Sequence, residues 1–327
     1  MCRFLVYRGQ PGYVADWLIR PSNSLIRQSY QAREMPEPLN GDGFGLGWYG
    51  DGDDPTPCVF TSLTPAWSNR NLRRLATHVR SSMFFAHVRA ATAGSVVSEE
   101  NCHPFRFGRF LWMHNGQVGS FRKIKRQLRR SLRDDLYDHV AGTTDSEHAF
   151  HLFLQQLEPV RARIRAELAR DPDRLRRYRE QFFDLLGSPR DKDRNGGDFV
   201  DRAVEILGEF DGDTLESALL ETIARLARWS AEADSESSFG NFAVTDGRTI
   251  LATRWTDDPD RPPPTLYYSA GMSTSGADGR SAPAMVISSE PLDDLHDSWH
   301  SVPPGHLLRV DPDWTVRLDP IEVPATA

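Results

Sequence analysis

Strand-like runs crowd both ends of this chain and helical periodicity fills its middle, and that segregation constrains the fold more than any other feature. Short runs rich in Phe, Val and Trp, separated by Gly, Pro and polar clusters, predict strands at 3–7, 44–49, 57–63, 83–89 and 109–114. A helix over 69–80 interrupts them, with Leu72, Leu75, Ala76 and Val79 on one face. From Ser146 to about Leu186 the pattern is helical, beginning with Ala149, Phe150, Phe153, Leu154 and Leu157. A further helix spans roughly 214–232, with Asp213 or Thr214 as its cap and Leu215, Leu219, Ile223 and Leu226 as its apolar stripe. After Ser235 strands return at 239–246, 249–255, 265–269, 284–288, 305–310 and 314–318. Strands, then helices, then strands predict an α+β chain of antiparallel sheets with segregated helices. No cluster of chain breakers divides the 327 residues. We therefore read one domain over 2–327 with a charged helical insertion at about 159–213, in which 161–179 is an Arg-rich solvated face and 188–198 a loop or linker.

Composition excludes several classes. A net charge of −7 disfavours a general nucleic-acid binder. No apolar run approaches the roughly 18 residues that span a bilayer, and the apolar stretch after Met1 is too short for a signal peptide. We expect a cytoplasmic protein with neither nucleic acid nor membrane as partner. Three cysteines, Cys2, Cys58 and Cys102, with no Cys-x-x-Cys pair, argue against a disulfide framework and a structural zinc site. His87, Cys102, His103 and His114 lack ligand spacing, so no metal and no cofactor is expected. Gly45-Leu-Gly-Trp-Tyr-Gly50 matches G-x-G-x-x-G in form, yet Asp-Gly-Asp-Asp-Pro follows it instead of a helix. Close backbone approach to a strand or ligand explains these glycines better than a dinucleotide.

Four short segments carry groups with usable chemistry. Removal of Met1 would leave Cys2 with an α-amine beside a thiol, and a neutral amine of pKa about 7.7–8.0 suits a general base. A small buried residue at the start of a strand would look the same. Phe85-Ala-His-Val-Arg-Ala-Ala-Thr-Ala-Gly94 puts Arg89 at a strand end among small residues, where it can grip a carboxylate or pair with a surface acid. Met113-His-Asn-Gly116 reads first as a turn, and its Asn amide and Gly N–H also suit an oxyanion hole. Within Thr143-Thr-Asp-Ser-Glu147, Asp145 fits a helix N-cap or a partner for a substrate ammonium.

Taken together and in order, Met1-Cys2, His87-Val-Arg-Ala-Ala-Thr92, His114-Asn-Gly116 and Thr144-Asp-Ser-Glu147 resemble the class II glutamine amidotransferases, a branch of the N-terminal-nucleophile hydrolases. Met1-Cys-Arg-Phe-Leu5, Asn40-Gly-Asp-Gly-Phe-Gly45, Thr64-Pro-Ala-Trp67, Asn101-Cys-His-Pro-Phe105, Asn241-Phe-Ala-Val-Thr-Asp-Gly247 and Ser288-Ser-Glu-Pro291 resemble the stand-alone members that act on glutathione or on γ-glutamyl intermediates. The resemblance implies a four-layer αββα sandwich of two antiparallel sheets. It implies Cys2 as nucleophile with its own amine as proton shuttle, and Asn115 and the Gly116 N–H as oxyanion donors. Arg89 would bind the substrate α-carboxylate, Thr92 would assist, and Asp145 would face the α-ammonium. Asn40, Asp42, His87 and His114 would border the pocket. The sugar-amidating members carry Trp and His where this chain has Ala90 and Ala93, which suggests room for a substrate larger than glutamine. No synthase segment is recognisable, so the expected reaction is hydrolysis of a small-molecule γ-glutamyl amide, or delivery of product to a protein partner. A homo-oligomer would also fit. The alternatives are an N-terminal-Cys acylase of another amide, which would not need Arg89 and Asp145, and a non-catalytic partner subunit.

Overall fold

The computed structural model describes residues 1–35, 39–52, 54–91, 96–177, 180, 204–206, 208–233, 236–275, 281–295 and 298–322. In chain order the strands are β1 (Arg3–Tyr13), β2 (Phe44–Trp48), β3 (Cys58–Ser62), β4 (Arg80–Val88), β5 (Phe105–Phe107), β6 (Phe110–Gln117), β7 (Phe239–Thr245), β8 (Ile250–Arg254), β9 (Tyr267–Ser275), β10 (Ser281–Ser288), β11 (His300–Ser301), β12 (His306–Val310) and β13 (Val316–Pro320). The helices are α1 (Ala15–Leu18), α2 (Leu25–Gln31), α3 (Arg70–Ala76), α4 (Phe121–Ser131), α5 (Asp134–His139), α6 (Asp145–Gln156), α7 (Glu158–Arg170) and α8 (Gly212–Ala233).

Two sheets form, one of seven strands in the order β11-β9-β10-β1-β4-β2-β3 and one of six in the order β13-β12-β8-β7-β6-β5. Every strand pairing is antiparallel. Side chains alternate between the faces of a strand, and here both faces are covered. On β1, Phe4 and Val6 enter the core between the sheets, while Leu5 and Tyr7 face α1, α2 and α3. On β6, Leu111 and Met113 enter the inter-sheet core, while Phe110 and Trp112 face α4, α6 and α8. Helix, sheet, sheet and helix thus stack as the expected four αββα layers. Burial on both faces makes the strands read as unbroken apolar runs. Each fully buried Leu, Val or Phe contributes roughly 1.5–3 kcal/mol.

Several boundaries differ from expectation for identifiable reasons. The 69–80 helix stops at Ala76, capped at its start by Asn69, whose side chain accepts from Leu72 N at 2.8 Å. The helical pattern after Ser146 breaks at Leu157 into α6 and α7, with a proline in the first turn of the second. The cap of α6 is Thr144 and not Asp145, and that of α8 is Asp211, whose carboxylate accepts from Thr214 N at 2.7 Å. Helices α4 and α5 were not expected. Helix α4 carries only Ile124 and Leu128 as buried positions among basic residues, too thin a stripe to stand out. Within the anticipated insertion at 159–213, α7 is helical, whereas 188–198 lies outside the described residues.

The glycines of β2 do serve close approach. A Cβ at Gly45 would sit 2.1 Å from His103 O, and one at Gly47 would sit 2.7 Å from Pro104. The 102–104 segment therefore crosses β2 where any side chain would block it.

Candidate active site

Strand parity assembles the site. In β1 and β4, Phe4 pairs with His87 and Arg3 with Val88, so continuing the register sets Cys2 opposite Arg89. Cys2 has the parity of Phe4 and Val6, and Arg89 that of Phe85, so both are directed to the gap between the sheets. On β6, Asn115 has the parity of Leu111 and Met113 and faces the same gap from the other sheet. His87 bridges the two sheets beside it, donating from Nε2 to His114 O at 3.2 Å.

Cys2 is half-buried, and its Sγ lies 3.4 Å from Ala90 N, which donates to it, and 3.6 Å from Ala90 O. Burial pushes the thiol above its ordinary range, while the Ala90 N–H, the terminal ammonium and Arg89 draw it down and Asp145 pushes it up. Both charges expected to clamp an amino-acid head group therefore act on this sulfur. Met1 precedes it and is 45% exposed.

Arg89 is 3% exposed and donates from Nη2 to Val96 O at 3.2 Å. Its backbone is tied to the 40–43 turn: Arg89 N donates to Gly43 O, and Asp42 N donates to Arg89 O. The Asp42 carboxylate accepts from Ala91 N at 2.8 Å, and buried Asn40 is anchored through its own N–H to Ser29 O. Asp42 is thus tied to the Arg89–Ala91 backbone and Asn40 to α2. Thr92 and Ala93 lie outside the described residues.

Asn115 and Gly116 are not a turn. They lie within β6, opposite Asn241 and Gly240 of β7. The Asn-Gly turn preference yields because the strands approach too closely for any side chain: a Cβ on Gly116 would sit 1.8 Å from Phe239 O. Gly240 directs its own N–H to Trp255 O at 2.8 Å, away from β6. In an antiparallel ladder the facing Gly116 N–H then points away from β7, towards an edge that β5 leaves uncovered beyond the Phe105–Trp112 pair. Asn115 is 0% exposed, and neither its Nδ2 nor its Oδ1 has a partner among the described residues. A buried amide left unpaired costs about 1–3 kcal/mol, a cost that a hydrogen-bonding ligand would offset.

Asp145 opens α6. Its carboxylate accepts from Val118 N at 2.7 Å and from Ser146 N at 2.9 Å, which fixes it beyond the end of β6 with lone pairs to spare. Asn101, to which the sequence assigned no role of its own, ties the two clamp regions together. It donates from Nδ2 to Val96 O, the same carbonyl that Arg89 uses, and accepts from Thr143 N at 2.8 Å. Asparagine at a turn carries no signal that separates this role from ordinary capping.

His87 and His114 buttress the site. Burial pushes His87 down to about 3, so the ring is neutral, and it lies 4.2 Å from the His103 ring. Burial also lowers His114, whose Nε2 donates to Phe239 O at 2.8 Å while Nδ1 accepts from Ser146 Oγ at 2.9 Å. No group of three His, Cys, Asp or Glu side chains suited to a metal ion occurs among the described residues. No helix among them is long and apolar enough to cross a membrane.

Comparison with known proteins bears on this arrangement. A family model described as glutamine amidotransferases class-II matches residues 17–181. A probable glutamine amidotransferase of Saccharomyces cerevisiae, DUG3, is 35% identical over 98% of this chain and 84% of its own length. The γ-glutamyl-hercynylcysteine sulfoxide hydrolase of Mycolicibacterium smegmatis is 34% identical over 36% of this chain and 52% of its own. A glutamine aminotransferase class-II domain protein from Silicibacter pomeroyi superposes with a TM-score of 0.58 at 24% identity, covering 98% of this chain and 99% of that one. The glutamine phosphoribosylpyrophosphate amidotransferase of B. subtilis superposes with a TM-score of 0.55 at 15% identity, covering 98% of this chain and 49% of that one. At these identities the superpositions speak for the fold alone, the two-sheet sandwich of the amidotransferases. The matched family model and the full-length yeast relative carry the assignment: the chain belongs to the class II glutamine amidotransferases, a family of amide-cleaving enzymes.

Proposed function

We propose that this chain is a single catalytic domain that hydrolyses the γ-glutamyl amide of glutamine, or of a γ-glutamyl compound such as glutathione, through a thioester on Cys2, in the cytoplasm and without a cofactor. Once Met1 is removed, the Cys2 α-amine takes the thiol proton as Sγ attacks the γ-carbonyl carbon. The oxyanion that forms accepts hydrogen bonds from Asn115 Nδ2 and Gly116 N–H. The ammonium then passes its proton to the leaving nitrogen, the C–N bond breaks, and a γ-glutamyl thioester remains. Water, deprotonated by the same amine, attacks the thioester; glutamate leaves and the thiol is restored. Arg89 holds the α-carboxylate and Asp145 the α-ammonium, with Thr92 assisting.

Four groups around the inter-sheet gap carry this reading, with Arg89 and Asp145 both acting on the Cys2 sulfur. They are a thiol, a buried cation, an anchored carboxylate and an amide with no partner among the described residues. An α-amino-acid head group needs one fixed cation and one fixed anion, and both act on the Cys2 sulfur. The small Ala90 beside that sulfur supports a leaving group larger than ammonia, as does a relative named for a γ-glutamyl conjugate. The test is glutamate release from glutamine, glutathione and other γ-glutamyl amines by the wild type and by Cys2→Ala. Release from at least one of them, abolished in the variant, is expected. Full activity in Cys2→Ala would overturn the proposal.

A further inference from the structure

One buried ion pair lies behind the nucleophile and has no part in the steps above. Arg3 follows Cys2 directly, and its parity, that of Leu5 and Tyr7, sends it to the opposite face of β1 from the thiol. Both Arg3 and Glu290 are 0% exposed, and Arg3 Nε lies 3.2 Å from Glu290 Oε1. The other arm of the guanidinium reaches back, with Nη1 donating to Cys2 O at 3.2 Å. Glu290 is itself tightly held. It accepts from Arg33 N at 2.9 Å, Glu34 N at 3.1 Å and Asn23 Nδ2 at 3.3 Å. The next residues repeat the attachment: Phe4 N donates to Ser289 Oγ at 3.0 Å, and Ser289 N donates to Phe4 O at 3.1 Å.

Desolvating two charges makes a buried ion pair a weak source of stability, so its presence needs another reason. A chain terminus frays unless something ties it down, and β1 begins at Arg3, one residue after the reacting thiol. Misplacing a reacting group by about 1 Å can cost about 10²-fold in rate. Resting on the proposed Cys2 chemistry, we infer that Arg3 and Glu290 are positioning residues. Glu290 locks the guanidinium, and the guanidinium fixes the Cys2 carbonyl, and through it the orientation of the Cys2 amine and thiol towards the inter-sheet gap. Neither side chain touches substrate, because both lie on the far face of β1.

Two variants test this. Glu290→Gln keeps the acceptor for the Arg33 and Glu34 N–H groups and removes the charge that holds Arg3. Arg3→Lys keeps a buried cation and loses the fork that reaches both partners. In each we expect kcat for glutamate release to fall about 10- to 100-fold, with KM within about threefold of the wild type, because Arg89 and Asp145 are untouched. Alkylation of Cys2 by iodoacetamide, which needs no substrate clamp, should slow alongside kcat. Circular dichroism and thermal unfolding establish which variants are folded; if Glu290→Gln is not, Arg3→Lys carries the test. A folded variant with kcat within twofold of the wild type, or with KM raised and kcat unchanged, overturns the inference. The parent reading fails separately, if the wild type releases no glutamate or Cys2→Ala still does.

Discussion

Replacing Asn115 by alanine should separate activity from stability, a separation that a structural asparagine could not produce. The side chain is fully buried, and neither of its polar atoms has a partner among the described residues. Its desolvation therefore already counts against the folded state by about 1–3 kcal/mol. Truncation to Ala removes that cost and forfeits packing of similar size, at roughly 0.8 kcal/mol per buried methylene equivalent. The two effects oppose each other, and the net change should stay within about 1 kcal/mol, or roughly 1–2 °C in Tm for a chain of this size. The transition state has no such compensation. Loss of one oxyanion donor should lower kcat by ~10²–10³, or about 3–4 kcal/mol of barrier. The assay pairs steady-state glutamate release with thermal unfolding of the same preparation. A variant that keeps kcat within threefold refutes the oxyanion role. One that loses activity only because its Tm collapses refutes the claim that the amide is held in reserve for a ligand.

Further expectations follow from other contacts. Gly116→Ala drives a Cβ to within 1.8 Å of Phe239 O, a backbone atom that cannot yield, so this variant should unfold at much lower denaturant or fail to fold, as read by urea titration. Arg89→Ala should raise KM for γ-glutamyl substrates by about 10- to 100-fold through loss of charge-assisted hydrogen bonds, while an unchanged KM would favour an acylase that reads no amino-acid head group. The His87 imidazole is held down to about 3 and that of His151 to about 4 by burial, against about 6.5 in an unfolded chain. The unfolded state therefore binds protons first as pH falls. The stability these neutral rings permit should be fully present above about pH 6.5 and be lost progressively towards pH 4, and denaturant midpoints that stay level across that window would contradict the assignment.

Much of the sandwich is legible in the sequence because its strands are covered on both faces. Runs such as Phe4–Tyr7 and Phe84–Val88 are buried throughout and read as strands without any partner in view. Helix α4 is hidden for the opposite reason, since Ile124 and Leu128 alone face the core and the rest is basic surface. The candidate site was legible as a set of residue types: Cys2, Arg89 and Asn115 share the parity of the inter-sheet core, and Arg89 and Asp145 both act on the Cys2 sulfur. What the sequence cannot convey is pairing between distant segments. Asn115-Gly116 looks like a turn because the closeness of Phe239 is set 123 residues further on. Nothing around Glu290 in the sequence announces its partner, because that partner is Arg3, 287 positions away. Asn101 is no different from any capping asparagine until the Val96 and Thr143 contacts are known.

The most direct measurement of the account is mass spectrometry of the N-terminal peptide after acid quench of the working enzyme with a slow γ-glutamyl substrate. The peptide should begin at Cys2 and carry one γ-glutamyl group on that cysteine. Active protein that retains Met1, or a γ-glutamyl group on any other residue, would contradict the central claim.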